Sequence, residues 1–124
     1  MQDEQQFQQL MMQYKQLVNG AEDISDMIDN ENYDSAITMM KVREQVFINC
    51  RNIRRYLELT DIQQKQVDEI TDKLKDLEFK NIKKLEKNME SVQQELAKTQ
   101  KSQKLKNAYN MSADSFGSMV NIED

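Results

Sequence analysis

The chain has 124 residues, 38% of them hydrophobic and 31% charged, with a net charge of −5, no Pro, no His, two Gly and a single Cys. That suffices for one small domain with a narrow core, and so few turn formers exclude the many tight turns of a β-sheet protein. The absence of His and the lone Cys50 remove imidazole acid–base chemistry, nearly every zinc site and any intramolecular disulfide.

Abundant Gln, Lys, Glu, Asp, Leu, Met and Ile point to long helices joined by short turns. In the first, Phe7, Leu10, Tyr14, Leu17, Ala21, Ile24 and Ile28 alternate by three and four, broadened by Met11, Val18 and Met27. This seam runs through Asn19-Gly20, otherwise a turn signal. A turn would scramble the register beyond it, so one helix over about residues 4–30 is expected, bent at Gly20.

The polar connector "DNEN" follows, with Asn32 the better N-cap for helix two. Its stripe is Ala36, Met39, Arg43, Val46, Cys50, Ile53 and Leu57, with Tyr33, Met40 and Phe47 alongside. Arg43 is the one charge on that stripe. Either its stem lies on the seam with its head in water, or it pairs with a carboxylate of helix one, whose acidity favours pairing.

Thr60 or Asp61 starts helix three. Val67, Ile70, Leu74 and Leu77 form one seam; Ile82, Leu85, Met89, Val92 and Leu96 form a second, one residue out of phase. Leu74, Leu85 and Leu96 are spaced as an eleven-residue repeat would be. The helix is expected to pass residue 100 and overhang the other two. After the lysine-rich "KTQKSQK", Leu105, Ala108, Tyr109, Phe116, Met119 and Val120 share one helical face. A helix this short is marginal alone and forms when docked. The expected architecture is all-α: an antiparallel bundle of three long helices over residues 1–104, then a short C-terminal helix or mobile tail over 105–124.

Charge is uneven. Residues 1–34 carry eight acidic groups and one Lys, whereas residues 41–55 carry a balance of +4. The overall sign disfavours nucleic acid as a partner despite Arg51, Arg54 and Arg55, which read as the solvent side of helix two. No apolar run reaches about 18 residues, and the start is acidic and polar, so a cytoplasmic protein without membrane insertion is expected.

No catalytic constellation is present. Glu22, Asp23, Asp26 and Asp29 read as a solvated face, Cys50 as a small core residue, and there is no phosphate-binding Gly-rich loop. We expect a non-enzyme without cofactor or metal. Nine Met, including the pairs Met11–Met12 and Met39–Met40, offer adaptable apolar surface for partner helices.

The stretch "NYDSAITMMKVREQVFINCRNI", between an acidic amphipathic first helix and a long third one, and the ending through "KNAYN" into a short apolar tail, resemble the FliT-type flagellar export chaperones over about residues 5–120. The family often opens helix two with an aromatic-acidic pair, here Tyr33-Asp34, and later carries an Arg-Glu pair, here Arg43-Glu44. The chain departs from the pattern at Tyr33, where many members carry Trp, and at Gly20. The resemblance implies a bacterial cytosolic chaperone that binds the flagellar filament cap protein before type III export. It also implies contacts with the export ATPase or gate, and a C-terminal helix folded over the hydrophobic groove.

Combining this with the periodicity, we expect a client-binding groove from Met39, Met40, Phe47, Ile82, Leu85, Met89 and Val92. The regulatory tail is Leu105, Tyr109, Phe116, Met119 and Val120. Homodimerisation, and docking of the tail in cis or in trans, stay open, as does the alternative of a structural coiled-coil or spectrin-like module.

Overall fold

The computed structural model describes residues 2–94 and 100–122, with side chains at 3–91 and 100–117. Four helices, α1 (Gln2–Asp29), α2 (Tyr33–Tyr56), α3 (Asp61–Gln94) and α4 (Gln100–Ile122), make it all-α, with no strand among the described residues.

The seven seam residues of α1 are all buried, with Val18 beside them. The helix continues through Gly20, which lies against Arg43 of α2: a Cβ there would sit 3.0 Å from Arg43 Nε and 3.2 Å from its Cδ. A close approach, rather than a turn, explains the glycine. At the end of α1, Glu31 takes φ 57°, its amide donates to Ile28 O, and the Asn32 amide donates to Met27 O at 2.8 Å. These are the two bonds of a Schellman closure, with Glu31 where glycine is usual. Asn32 precedes α2 as expected but makes no side-chain cap bond, its backbone being held at ψ 68°.

α3 opens on a capping box. The Gln63 amide donates to Thr60 Oγ1, and the Thr60 amide donates to Gln63 Oε1 at 3.0 Å. The phase slip expected within α3 is absent. Val67, Thr71, Leu74, Glu78, Asn81 and Leu85 are buried at spacings of four, three, four, three and four, so one unbroken stripe faces inward. The slip came from following apolar residues past two buried polar ones. The expected extension of α3 past residue 100 is likewise corrected, although α3 does run beyond Lys84 and Asn88, which meet the end of α1 and the start of α2. The described part of α3 ends at Gln94, and α4, beginning at Gln100, returns along its distal half. The expected division after residue 104 falls inside α4.

Contacts fix the directions. Gln13 meets Cys50 and Leu17 meets Arg43, so α1 and α2 run oppositely. Gln63 reaches Glu4, Asn81 reaches Ala21 and Lys84 reaches Asp29, so α1 and α3 run the same way. Lys101 pairs with Glu31 and Lys104 with Asp34, setting α4 parallel to α2. Tyr109 meets Glu86 and Phe116 meets Phe79, setting α4 opposite to α3. α1 and α4 occupy one diagonal of the bundle, α2 and α3 the other. Leu57 and Leu59 of the α2–α3 link pack into the adjoining end of the core.

The core has two apolar clusters. One, at the link end, is built on Phe7, Leu10, Tyr14, Phe47, Leu57 and Leu74. The other, at the α1–α2 turn end, holds Ile24, Ile28, Tyr33, Met40, Leu85 and Leu105. A polar layer accompanies them. Arg43 Nη2 donates to Glu78 and to Leu17 O at 2.9 Å, and Asn81 Nδ2 donates to Ala21 O at 3.0 Å.

Candidate functional site

α4 lies on the trough between α2 and α3. Of its described side chains only Leu105, Ala108 and Ser112 are buried; Tyr109, Met111 and Phe116 are half-buried. Leu105 and Ala108 enter the second apolar cluster, while Phe116 reaches only the edge of the first. Full burial of Leu105 stabilises docking by roughly 1.5–3 kcal/mol, against about 1–2 kcal/mol of backbone entropy for each residue ordered.

Beneath α4 are four of the expected groove residues. Met40, Ile82 and Leu85 are buried, as is Phe47 near the middle of α2, while Met39 and Met89 are half-buried. Met40, Leu85, Leu105 and Ala108 share one cluster, with Met39, Met89 and Tyr109 packed against it. Met39 also borders a shallow apolar depression on the outer side of α2, with Thr38 and the exposed Val42. Val92, Met119 and Val120 lie outside the described side chains. Between α2 and α4 there remains a trough of about 260 Å³ over Met40, Phe47, Ile48 and Met111. That is below the roughly 300–1,000 Å³ of small-molecule pockets, and suits one large side chain.

Electrostatics holds the start of α4. Lys101 Nζ lies 2.9 Å from Glu31 and Lys104 Nζ 2.7 Å from Asp34, both pairs about half exposed. The Tyr109 hydroxyl donates to Glu86 at 3.3 Å. Exposed pairs of this kind contribute below about 1 kcal/mol each and weaken with salt.

Arg43 differs from expectation in its partner. It pairs with Glu78 of α3, across the diagonal, and takes only the Leu17 carbonyl from α1. Its guanidinium stands 5.2 Å from the Phe47 ring centre, and its Nε and Nη1 have no acceptor among the described residues. Glu78, Asn81 and Ser112 went unnoticed in the sequence because each is polar. Extending the three-four spacing from Leu74 and Leu105 through polar residues would have found them.

Burial pushes the Cys50 thiol up to about 12, away from the thiolate a nucleophile needs. Burial also raises Tyr33, although its hydroxyl accepts a bond from Asn88 Nδ2 at 3.0 Å. Among the described residues no carboxylate or thiol cluster could hold a metal ion, and no helix is long and apolar enough to cross a membrane. Of the three arginines expected on the solvent side of α2, only Arg55 is exposed: Arg54 is half-buried and donates to Gln64 at 2.7 Å, and Arg51 is half-buried at the α2–α4 trough, its buried Nε without an acceptor among the described residues.

Comparison of the chain with family models, with curated proteins and with solved structures finds no match.

Proposed function

We propose that the chain is a chaperone-type binding module, in which a client helix takes the place of α4 on the α2/α3 trough. The observation that carries this reading is the light anchoring of α4, by Leu105, Ala108 and Ser112, over an apolar floor that includes Met40 and Leu85. An amphipathic client helix with larger apolar residues at the same spacing would bury more against that floor than α4 does. The resemblance to FliT-type chaperones supplies the client, the flagellar filament cap protein, and the setting, the bacterial cytosol with its type III export ATPase and gate. On this reading the protein is not an enzyme, takes no cofactor, and α4 is a displaceable lid that docks in cis.

Calorimetry against the C-terminal segment of a flagellar cap protein tests it. Leu105→Ala in the full chain should bind the segment at least about tenfold more tightly, since lid docking competes with it. Equal affinity of the variant and the native chain would remove the lid. No binding by either would remove the client.

A second reading, a structural helical module with α4 as ordinary core, has an observation in its favour. Leu105 and Ala108 are as thoroughly buried as any residue of α1. It requires α4 to melt together with α1–α3 in one transition.

A further inference from the structure

α2 carries a second stripe beside the one that faces the core. Its buried residues Ala36, Met40, Arg43, Phe47 and Cys50 recur by four, three, four and three. Met39, Val42, Val46, Asn49, Ile53 and Tyr56 keep the same rhythm. The first four each precede a buried residue by one position, which sets them about 100° round the helix. Val42 is 68% exposed and Tyr56 80%, and the other four are half-buried. Glu44, Ile48 and Arg51, each one position after a buried residue, line the α4 trough. The second stripe therefore lies on the opposite flank of α2, beside α1. Charge sets this flank apart. The other three seams each carry charged groups in contact: Lys84–Asp29 between α1 and α3, Lys104–Asp34 between α2 and α4, and Tyr109–Glu86 between α3 and α4. No stripe residue is charged, its exposed outer edge is Thr38, Gln45 and Asn52, and α1 borders it with Gln9, Gln13 and Gln16. Asp23 and Asp34 border its Met39 end.

We propose that this flank is a homodimer interface, in which α2 packs antiparallel on α2 of a second copy about a two-fold axis level with Phe47 and Ile48. Heptad layers then set Met39 against the second copy's Tyr56, Val42 against its Ile53 and Val46 beside its Asn49, each contact made twice. The two Asn49 side chains come together near the axis, where a single Asn pair fixes the register. Charge selects a second copy as the occupant. A two-fold axis sets like against like, so a stripe free of charge lets two molecules of net charge −5 approach, whereas flanking charges are what choose a different helix. Charge also selects the antiparallel sense. Parallel packing would oppose each Asp34 to its own counterpart, while antiparallel packing parts the two by about 40 Å along the helices. α4 lies on the other flank of α2, so the dimer forms whether or not α4 is ever displaced.

Sedimentation equilibrium of the full chain tests this. The weight-average mass should climb from 14.7 kDa toward twice that value between about 1 and 300 µM. It should climb at least as readily in about 0.5 M NaCl as in about 0.05 M, because salt screens the like net charges and no ion pair crosses the axis. Val42→Glu removes two apolar layers and should weaken the dimer by at least about a hundredfold. Val42 is exposed, and unchanged melting of the dilute variant would show that the fold survives. Lys87→Gln makes the same change in net charge at an exposed position of α3 and should leave the dimer intact. A short bismaleimide should join two copies of Asn49→Cys but not of Val42→Cys, whose positions stand about 16 Å apart along the helices, and Cys50 is buried. A mass of 14.7 kDa throughout, which would leave the stripe to a helix of another protein, would overturn the proposal. So would a dimer that Val42→Glu does not weaken, or cross-linking of Val42→Cys as fast as of Asn49→Cys.

Discussion

α1 buries eight apolar residues in one stripe that feeds both apolar clusters, whereas the described part of α4 buries two, Leu105 and Ala108, and leans on half-buried Tyr109, Met111 and Phe116 for the rest. The two helices face each other across the bundle diagonal and have comparable lengths, 28 and 23 residues. Even their glycines differ. Gly20 is pressed against the Arg43 side chain, while Gly117 has nothing within 4 Å of where a Cβ would stand. Over the described side chains, helix length and amphipathic pattern therefore do not fix how much large apolar surface is buried, the quantity with which dispersion and desolvation both scale.

The largest test of this contrast concerns the centre of the molecule. Glu78→Leu should destabilise the whole domain by about 3–5 kcal/mol, because it leaves the Arg43 charge buried and unpaired. Arg43→Met together with Glu78→Leu should recover most of that loss, as read from urea denaturation. Failure of the double variant to recover would mean that the pair contributes more than its own neutralisation.

Next come the matched truncations of two buried leucines. Leu17→Ala should lower global stability by about 2–5 kcal/mol. If α4 opens separately, Leu105→Ala should leave the main urea midpoint within about 0.5 kcal/mol of native while hydrogen exchange in α4 accelerates. Equal losses from both would erase the difference between the helices.

The glycines give a sharper comparison at smaller size. Gly117→Ala should stabilise α4 by about 0.5–1 kcal/mol, the helix-propensity gain with no contact to offset it. Gly20→Ala should be destabilising in spite of the same gain. Its methyl meets a guanidinium held by Glu78 and Leu17 and unable to retreat, and overpacking of this kind costs about 1–3 kcal/mol. Smallest of all, Lys104→Gln should lower α4 protection by less than about 1 kcal/mol at low salt, and not measurably at 0.5 M NaCl.

Much of this was legible in the amino-acid sequence where burial and hydrophobicity coincide. The stripe from Phe7 to Ile28 is continuous, and it defined α1 to within about two residues at either end. Where buried positions are polar, hydrophobicity misleads: Glu78 and Asn81 looked like a break in α3 when they are its inward face. Gly20 reads as a helix weakness because the residue that requires it, Arg43, is 23 positions away. The apolar faces of α2 and α3 were legible for a related reason. Periodicity picked out Met40, Phe47, Ile82 and Leu85, which are buried, but it could not say that α4 lies along them, nor that Phe79 stays exposed.

The link over residues 57–60 has a mechanical consequence. It joins helices on opposite corners, and helix axes about 8–10 Å apart along the sides put diagonal partners roughly 11–14 Å apart. The five Cα–Cα steps from Tyr56 to Asp61 span at most about 17–18 Å, and Leu57, with ψ 123°, uses an extended backbone in making that crossing. The tether has only a few ångströms of slack. It joins the α1–α2 and α3–α4 pairs at that end together with Leu57 and Leu59, which pack into the core. At the other end they are joined by the second apolar cluster, in which Leu105 and Ala108 meet Ile28, Met40 and Leu85, with Lys84–Asp29, Lys101–Glu31 and Lys104–Asp34 around it where water reaches them. Salt loosens only the outer layer of that joint, and its apolar centre keeps holding.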